Sequence, residues 1–558
     1  MSKIHLLKKI TILLTLFLFI AVAGCSSKDE IIAEEEETQD PGDDDPTDDG
    51  MSGDPVTGDP DLIISEVQDY FLFLKGNFAA TTAGITRQRA MFGVYINDVF
   101  SGNTNTGWRK AYQIVDGRVL LEKLNELETY DVPNHLGLAE VLQAYSMMIL
   151  VDIYGDVPYT QALDPDMFPN PGLDSGSDVY NAQLNLLDAA ITHLQQNPSS
   201  LPEDKYFLGG FDKSKWIALA NTLKLRAYLN LRLTDPARAT QGINGLLNKN
   251  LIDTPQEDFQ FQYGNAPFPF DRHPFFNTYY GSGGAGLSYI ANGFYDYLNA
   301  GDVNPPFVEN GIVDPRLRYY IYRQSDQAPA GSNLPCDGDS NYDYCYVGNL
   351  YWGRDHADDA GVPSDGVRKT VPGLYPIGGA FDRDLFVQAR AVTEGLEGAG
   401  IAPIFLSSFT NFMLAESALT LNTNGNAVSY LEQGIRLSMQ KVSDFSEGQE
   451  LGGFGISPGS TNEYVLRVLD EYSSANTNGK LAIIEREFYL ASWGNTIEAY
   501  NLYRRTGFPN LQAPVFDAGP FPRVFQYAST PVSINPNIQQ QQVTNQTFWD
   551  NNPAGFID

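Results

Sequence analysis

Residues 138–163 read LAEVLQAYSMMILVDIYGDVPYTQAL. Leu138, Val141, Leu142, Tyr145, Met148, Ile149 and Ile153 recur at three- and four-residue spacing, which places them on one face of an α-helix about four turns long. The helix ends sharply. Gly155 supplies the permissive backbone common just past a helix C-terminus, and Pro158 cannot continue the hydrogen-bond ladder. The stretch therefore predicts a core helix running into a fixed turn flanked by Tyr154 and Tyr159, a piece of scaffold rather than a ligand site.

Other periodic stretches extend this pattern in both directions. Apolar residues fall at helical spacing over 62–74, 108–127, 179–194, 213–233 and 237–248, and again over 410–421, 427–442, 461–472 and 481–506. Consecutive helices joined by short turns predict a solenoid of degenerate helix pairs, since no clean repeat of 34 residues is present. Between them, residues 251–402 are rich in Gly, Pro, Tyr and Asp and carry few periodic runs. Long irregular segments laid on a rigid scaffold are where ligand contacts concentrate.

The N-terminus is a separate matter. A basic start (Lys3, Lys8, Lys9), an apolar run from Ile10 to Val22 and small residues before a cysteine predict a secretory signal over 1–24, with a membrane-spanning helix as the alternative reading. AVAGC resembles a bacterial lipobox, which implies cleavage before Cys25 and acylation of its thiol and its new amino group. Several acyl chains on one residue anchor firmly, whereas one does not. Residues 26–61 hold 15 acids against one lysine, interspersed with Pro and Gly, so 25–61 is expected to be a lipidated, disordered tether reaching roughly 30 Å or more. Its opening SSKDE resembles the acidic signal that sends lipoproteins of Bacteroidetes-type bacteria to the outer face of the outer membrane.

Of the formal charge of −33, −22 remains on residues 62–558. An acidic body is a poor partner for nucleic acid, whose binding is dominated by Lys and Arg on phosphates. Outside the cytoplasm Cys336 and Cys345, nine positions apart in a polar loop, are free to pair, and a disulfide is expected there. Asp337, Asp339, Asn341 and Asp343 alternate like the start of a calcium loop, but the sixth-position Gly and the closing Glu of an EF-hand are missing, and no metal is expected.

DIYGDVPYTQAL, WIALANTLKLRAYLNLRL (216–233), DPRLRYYI (314–321), NFMLAESAL (411–419), YLEQGIRLSM (430–439), EFYLASWGNTIEAYNLYRRTGFP (487–509) and PRVFQYA (522–528) occur in order along the body. Together they resemble the SusD/RagB family of nutrient-binding outer-membrane lipoproteins. The resemblance implies a mainly α SusD-like fold with about four tetratricopeptide-like helix pairs, here a helical scaffold over 62–250 and 403–520 with a loop-rich, ligand-binding portion over 251–402. It further implies a lipid-anchored protein on the cell exterior that binds an oligosaccharide or polysaccharide. The implied partner is a SusC-like TonB-dependent transporter, to which the ligand is delivered for import. A peptide-binding member of the family, a surface glycan hydrolase on a helical scaffold, and a helical-repeat adaptor are the competing readings.

The resemblance leaves the ligand site to be argued from chemistry. Sugar sites need aromatic faces for the C–H patches of the ring and Asp, Asn or Arg for its hydroxyls. Tyr351, Trp352, Arg354 and Asp355, followed by His356, supply that mix on a Gly-flanked loop, although a turn with Arg354 and Asp355 paired to each other reads equally from the string. Asn97 and Asp98 with Trp108 form a second candidate cluster, and Tyr279 beside Tyr280 a third; the aromatic members also suit core packing. No catalytic residue, cofactor or metal ligand is expected. H-E-x-x-H and G-x-S-x-G are absent, Ser438-Met439-Gln440-Lys441 lies in a helical pattern without K-T-G, and Gly281, Gly283 and Gly286 spell a dinucleotide motif outside any βαβ unit. With 54 acids in the body, a glycosidase carboxylate pair cannot be read for or against in the sequence.

Overall fold

The computed structural model describes residues 58–267, 271–280, 288–299, 313–328, 334, 336–360 and 367–557. The signal, Cys25, the tether up to residue 57 and the Gly281, Gly283 and Gly286 motif lie outside these residues. Residues Val56–Asp558 form one compact unit, about 49% of the chain is helical, and the fold is mainly α.

Eleven longer helices carry the scaffold: α1 (Pro60–Ile85), α2 (Asn105–Asn125), α3 (Pro133–Tyr154), α4 (Gly176–Leu194), α5 (Lys213–Asn230), α6 (Pro236–Leu246), α7 (Ser407–Thr420), α8 (Ala427–Phe445), α9 (Pro458–Ser474), α10 (Thr477–Ala491) and α11 (Thr496–Thr506). Their starts follow local chemistry. Asp59, Ser175, Asp212, Asp235, Asn426, Ser457 and Asn476 each accept a backbone N–H of the first turn, and proline occupies the first helical position of α1, α3, α6 and α9. Helix α1 thus begins at Pro60, two residues inside the stretch assigned to the tether. Sequential neighbours pack as pairs, α1 on α2, α3 on α4, α5 on α6 and α7 on α8, with α10 laid across α7.

The pattern over 481–506 reads as one helix but forms two. Gly494 breaks it at φ 95°, in a place where a Cβ would stand 2.9 Å from both Pro376 and Pro403. Asn495 then accepts from Lys75 Nζ at 2.8 Å and donates to the Ile404 carbonyl at 2.6 Å. Burial pulls the Lys75 ammonium down to about 7.

Helix α3 starts five residues before the periodic run and is buried along all 22 of its residues, not on one face only. It is long and apolar enough to cross a membrane, yet it is wholly enclosed, by α1, α2, α4 and α5 and by the C-terminal segment. Phe525 N donates to the Ile153 carbonyl at 2.8 Å, Gln541 Nε2 to the Tyr154 carbonyl at 2.8 Å, and Tyr527 OH to the Asp156 carbonyl at 2.8 Å. Gly155 makes the turn at φ 81°.

One polar network crosses this apolar centre. Arg226 of α5 pairs with Asp152 of α3 at 2.6 Å and with Glu498 of α11 at 2.9 Å, all three side chains being at most 2% exposed. Asp152 also accepts from Tyr180 OH, Asn501 Nδ2 (3.0 Å) and Trp549 Nε1 (2.9 Å). Beside it, Arg505 donates bidentately to Glu416 of α7 and at 2.9 Å to Asn230. Buried ions are tolerable only when paired and hydrogen-bonded, so these contacts fix how α3, α5, α7 and α11 meet.

The loop-rich portion is stitched by two antiparallel pairs, β1 (Phe259–Gln262) with β4 (Ile401–Phe405), Phe259 opposite Phe405, and β2 (Ile321–Tyr322) with β3 (Val371–Pro372). Cys336 and Cys345 form a disulfide with Cα atoms 5.5 Å apart. Ser438 accepts from Arg316 at 2.8 Å and Lys441 pairs with Asp258 at 2.8 Å, which commits both ends of the S-x-x-K string to packing.

Arg226→Met leaves Asp152 and Glu498 buried without their cation and is expected to lower the unfolding free energy by about 3–5 kcal/mol. Urea denaturation followed by circular dichroism measures this, and a loss below about 1 kcal/mol would contradict a central role for the network.

Candidate functional site

The 351–356 loop and the helix that carries Asn97 and Asp98 lie at one junction, and Trp108 does not. Arg89 bridges Ile290, Ala90 N donates to the Tyr289 carbonyl at 2.8 Å, Ala291 bridges Arg354, and Ala357 N donates to the Met91 carbonyl at 3.1 Å. Segments 88–91, 289–292 and 352–357 therefore run side by side. The short helix Tyr95–Asp98 hangs from the first of them, held by Asn103 Nδ2 on the carbonyls of Asn97 (3.0 Å) and Asp98 (3.1 Å).

Within this junction the 351–356 loop is interior. Tyr351 and Trp352 are each 3% exposed, so neither offers a ring face to solvent. Tyr351 lies under the Arg323 guanidinium at 5.0 Å and against Tyr295, and the Trp352 carbonyl accepts from Thr370 N and Oγ1. Arg354 pairs with Asp358, not with its neighbour Asp355, and sits over the rings of Phe92 and Tyr289. Asp355 accepts from Asn292, from Tyr344 N at 3.1 Å and from Gln512 at 2.9 Å, and burial raises its pKa. His356 Nε2 meets Tyr95 OH at 2.9 Å, and burial holds the imidazole neutral, well below its usual range. The mix of aromatic and polar residues that suggested a sugar platform thus builds a buried polar-aromatic layer instead.

The two remaining rings are packing residues as well. Trp108 packs edge-on against Tyr154 at 5.1 Å and Tyr527 at 6.0 Å, behind the turn of α3. Tyr279 is 3% exposed.

What faces outward at the junction is a set that sequence reasoning missed in part. Asn97 is exposed and Asp98 half-buried. Burial raises the Asp98 carboxyl to about 6, against the opposing pull of Arg89. Arg89 lies 5.2 Å from the Phe275 ring centre and donates to the Ala80 carbonyl at 2.5 Å, and among the described residues its buried Nε has no hydrogen-bond partner. Phe92 and Phe275 are both part-exposed. A part-exposed guanidinium, a carboxyl, an exposed amide and two part-exposed rings are groups that can hydrogen-bond hydroxyls and cover apolar ring surface. The signal for Arg89 was the TRQRA string directly after α1, two arginines following a buried helix.

The same set is unsuited to hydrolysis. Glycosidases set two carboxyls about 5–10 Å apart, and the charge that bears on Asp98 is that of Arg89 rather than a second acid. Among the described residues no group of His, Cys, Asp and Glu could hold a metal ion.

Two open cavities lie elsewhere. One of about 700 Å³ sits between α4, α5 and α6, with Lys224 already paired to Asp188 and Tyr228 packed on Gly242. The other, of about 630 Å³, lies among residues 514–523 and 544–557. Neither is lined by a residue singled out from the sequence.

A family described as SusD-like, starch-binding and associating with the outer membrane matches residues 77–347. Solved structures share the fold over nearly the whole compact unit. A chitin-binding protein aligns at 20% identity and a TM-score of 0.64, over 88% of this chain and 100% of its own. A SusD homologue from Bacteroides fragilis aligns at 17% identity and 0.65, over 88% and 99%, and a SusD/RagB protein from Bacteroides thetaiotaomicron at 17% and 0.62, over 90% and 99%. No curated protein matches the sequence. Over residues 77–347 the chain is similar to the SusD-like family, and its fold is that of the SusD homologues. That family is one of surface nutrient binders rather than enzymes.

Two outcomes follow from this geometry. Because the folded-state pKa of Asp98 lies above that of the unfolded chain, its contribution is most favourable at low pH and is lost as pH rises through about 6. Asp98→Asn should therefore raise the unfolding free energy by about 1 kcal/mol or more at pH 7.5 and by little at pH 4, read from thermal melts at both values. Trp352→Ala should cost about 3–5 kcal/mol of stability as a core truncation; a stably folded variant with only weakened ligand binding would return Trp352 to the ligand surface.

Proposed function

We propose that the protein captures an oligosaccharide or polysaccharide at the junction of segments 88–98, 274–280 and 288–292 and passes it to a SusC-like TonB-dependent transporter. The observation that carries the binding half is Arg89, a half-buried cation beside the Phe275 ring whose charge bears on the half-buried Asp98, itself next to the exposed Asn97. A site of this kind is preorganised, since its backbone is pinned by bridges to the 289–292 and 352–357 segments. Lipidation at Cys25 and the acidic tether would hold the body at the outer face of the outer membrane, within reach of a barrel embedded there.

The ligand class follows from the chemistry of the set. Neutral glycans present both hydroxyls and apolar C–H faces, and the acidic body disfavours polyanionic ones. The family description and the similar chitin-binding protein make α-glucans and N-acetylglucosamine oligomers the first to try.

Affinity electrophoresis across starch, chitin oligosaccharides, other neutral glycans and peptides tests the proposal, with reducing-end release assayed alongside. Arg89→Ala should weaken the best ligand by at least ~1 kcal/mol, about fivefold, with the unfolding transition unchanged. Binding to peptides alone, or catalytic release of sugar, would replace the reading.

A further inference from the structure

Five large apolar side chains stand exposed on one side of the body. Ile534 is 72% exposed, Met167 69%, Phe100 55%, and Phe168 and Leu173 37% each. They come from three sequence-distant segments that hydrogen bonds tie together. Ser529 N donates to the Ser101 carbonyl at 3.1 Å and Asn105 Nδ2 to Ser529 Oγ at 2.7 Å, which seats the short helix Ser529–Ile534 beside the 100–105 loop. At the other end of that helix, Asn535 Nδ2 donates to the Pro171 carbonyl at 2.9 Å and Asn537 Nδ2 to the Asn170 carbonyl at 2.6 Å. Pro165, Pro169 and Pro171 restrict the 164–173 loop, so its apolar tips are presented at little entropic cost. The exposed apolar area is on the order of 500 Å², in the range where a patch on a soluble protein marks a contact surface.

The charge around the strip chooses among occupants. Segments 97–106, 160–175 and 526–545 contain no lysine or arginine, while Asp164 and Asp166 stand exposed at the loop tip. A loop that inserts into a membrane surface pairs its apolar tip with basic residues facing anionic headgroups, the reverse of this arrangement. A second copy would set acid against acid. A protein surface with an apolar centre and a lysine- or arginine-bearing rim fits.

We infer that the strip formed by Phe100, Met167, Phe168, Leu173 and Ile534 is the docking face for a protein with an apolar, basic-rimmed surface, and that this protein is the transporter. The assignment rests on the transporter half of the proposed function; the strip itself plays no part in the glycan site built around Arg89. Its area makes the apolar core of an interface whose polar rim completes the roughly 800 Å² per partner of a stable complex.

The test co-expresses the full-length lipoprotein with a SusC-like transporter from the same genome, and measures the transporter recovered with it from detergent-solubilised membranes. Met167→Asp with Ile534→Asp should lower recovery at least tenfold, leaving the thermal midpoint and glycan affinity within twofold of wild type. Leu466→Asp, on the exposed face of α9, should leave recovery unchanged. Asp164→Asn with Asp166→Asn should flatten the dependence of recovery on salt. Equal recovery with the Met167 and Ile534 variant overturns the docking face while the transporter reading stands. No recovery with wild type overturns that reading and the docking face with it. Loss with the Leu466 control, a dimer of the isolated protein that the double variant abolishes, or vesicle binding that it abolishes, also overturns the assignment.

Discussion

The fold depends on the pairing of Arg226 with Asp152 and Glu498. Helices α3, α5 and α11 are far apart in sequence and could slide past one another on apolar contacts alone, because hydrophobic burial is non-directional. A buried guanidinium between two carboxylates permits no such freedom. Tyr180, Asn501 and Trp549 complete the shell around Asp152, and Arg505 with Glu416 repeats the arrangement one helix further on. The register of the scaffold is thereby fixed before any loop is considered, and the loops that carry the candidate site inherit that rigidity.

Much of this was legible in the sequence, though for reasons the periodicity did not supply. The strings that carry the family resemblance contain the network's members: Asp152 in DIYGD, Arg226 in LKLRAYLN, Glu416 in LAESAL, Glu498 and Arg505 in NTIEAYNLYRR. Each looks like a charged residue on the polar side of an amphipathic helix. Only their mutual burial shows that the helices have no polar side there, as α3 demonstrates along its full length. The helix break at Gly494 was missed because its cause, the approach of Pro376 and Pro403, is 91 to 118 residues away in the chain.

The site was less legible. Two of the strings are neighbours in space, since Tyr95, beside Asn97 and Asp98, meets His356 of the 351–356 loop. Their roles could not be read, because a string of Tyr, Trp, Arg, Asp and His satisfies a sugar and a protein interior by the same chemistry: rings cover apolar surface, and polar groups find partners. Which partner is present depends on neighbours such as Arg323, Thr370, Asn292 and Gln512, none of them local. Arg89 escaped notice for a related reason. The TRQRA string marks two arginines after α1 but not which of them reaches the surface, and the place of Arg89 beside Phe275 is set by a segment 186 residues further along the chain.

The clamp of the C-terminal segment on the end of α3 bears on the order in which the chain can fold. Asp152 receives the indole N–H of Trp549 across 397 residues, and the carbonyl of Ile153 is satisfied by Phe525. The central helix, the most apolar in the described structure, has its polar groups satisfied only once residues 525–549 have been made. Contacts of such long range close late and slowly. Truncation before Phe525 therefore removes partners of the innermost helix rather than a peripheral tail.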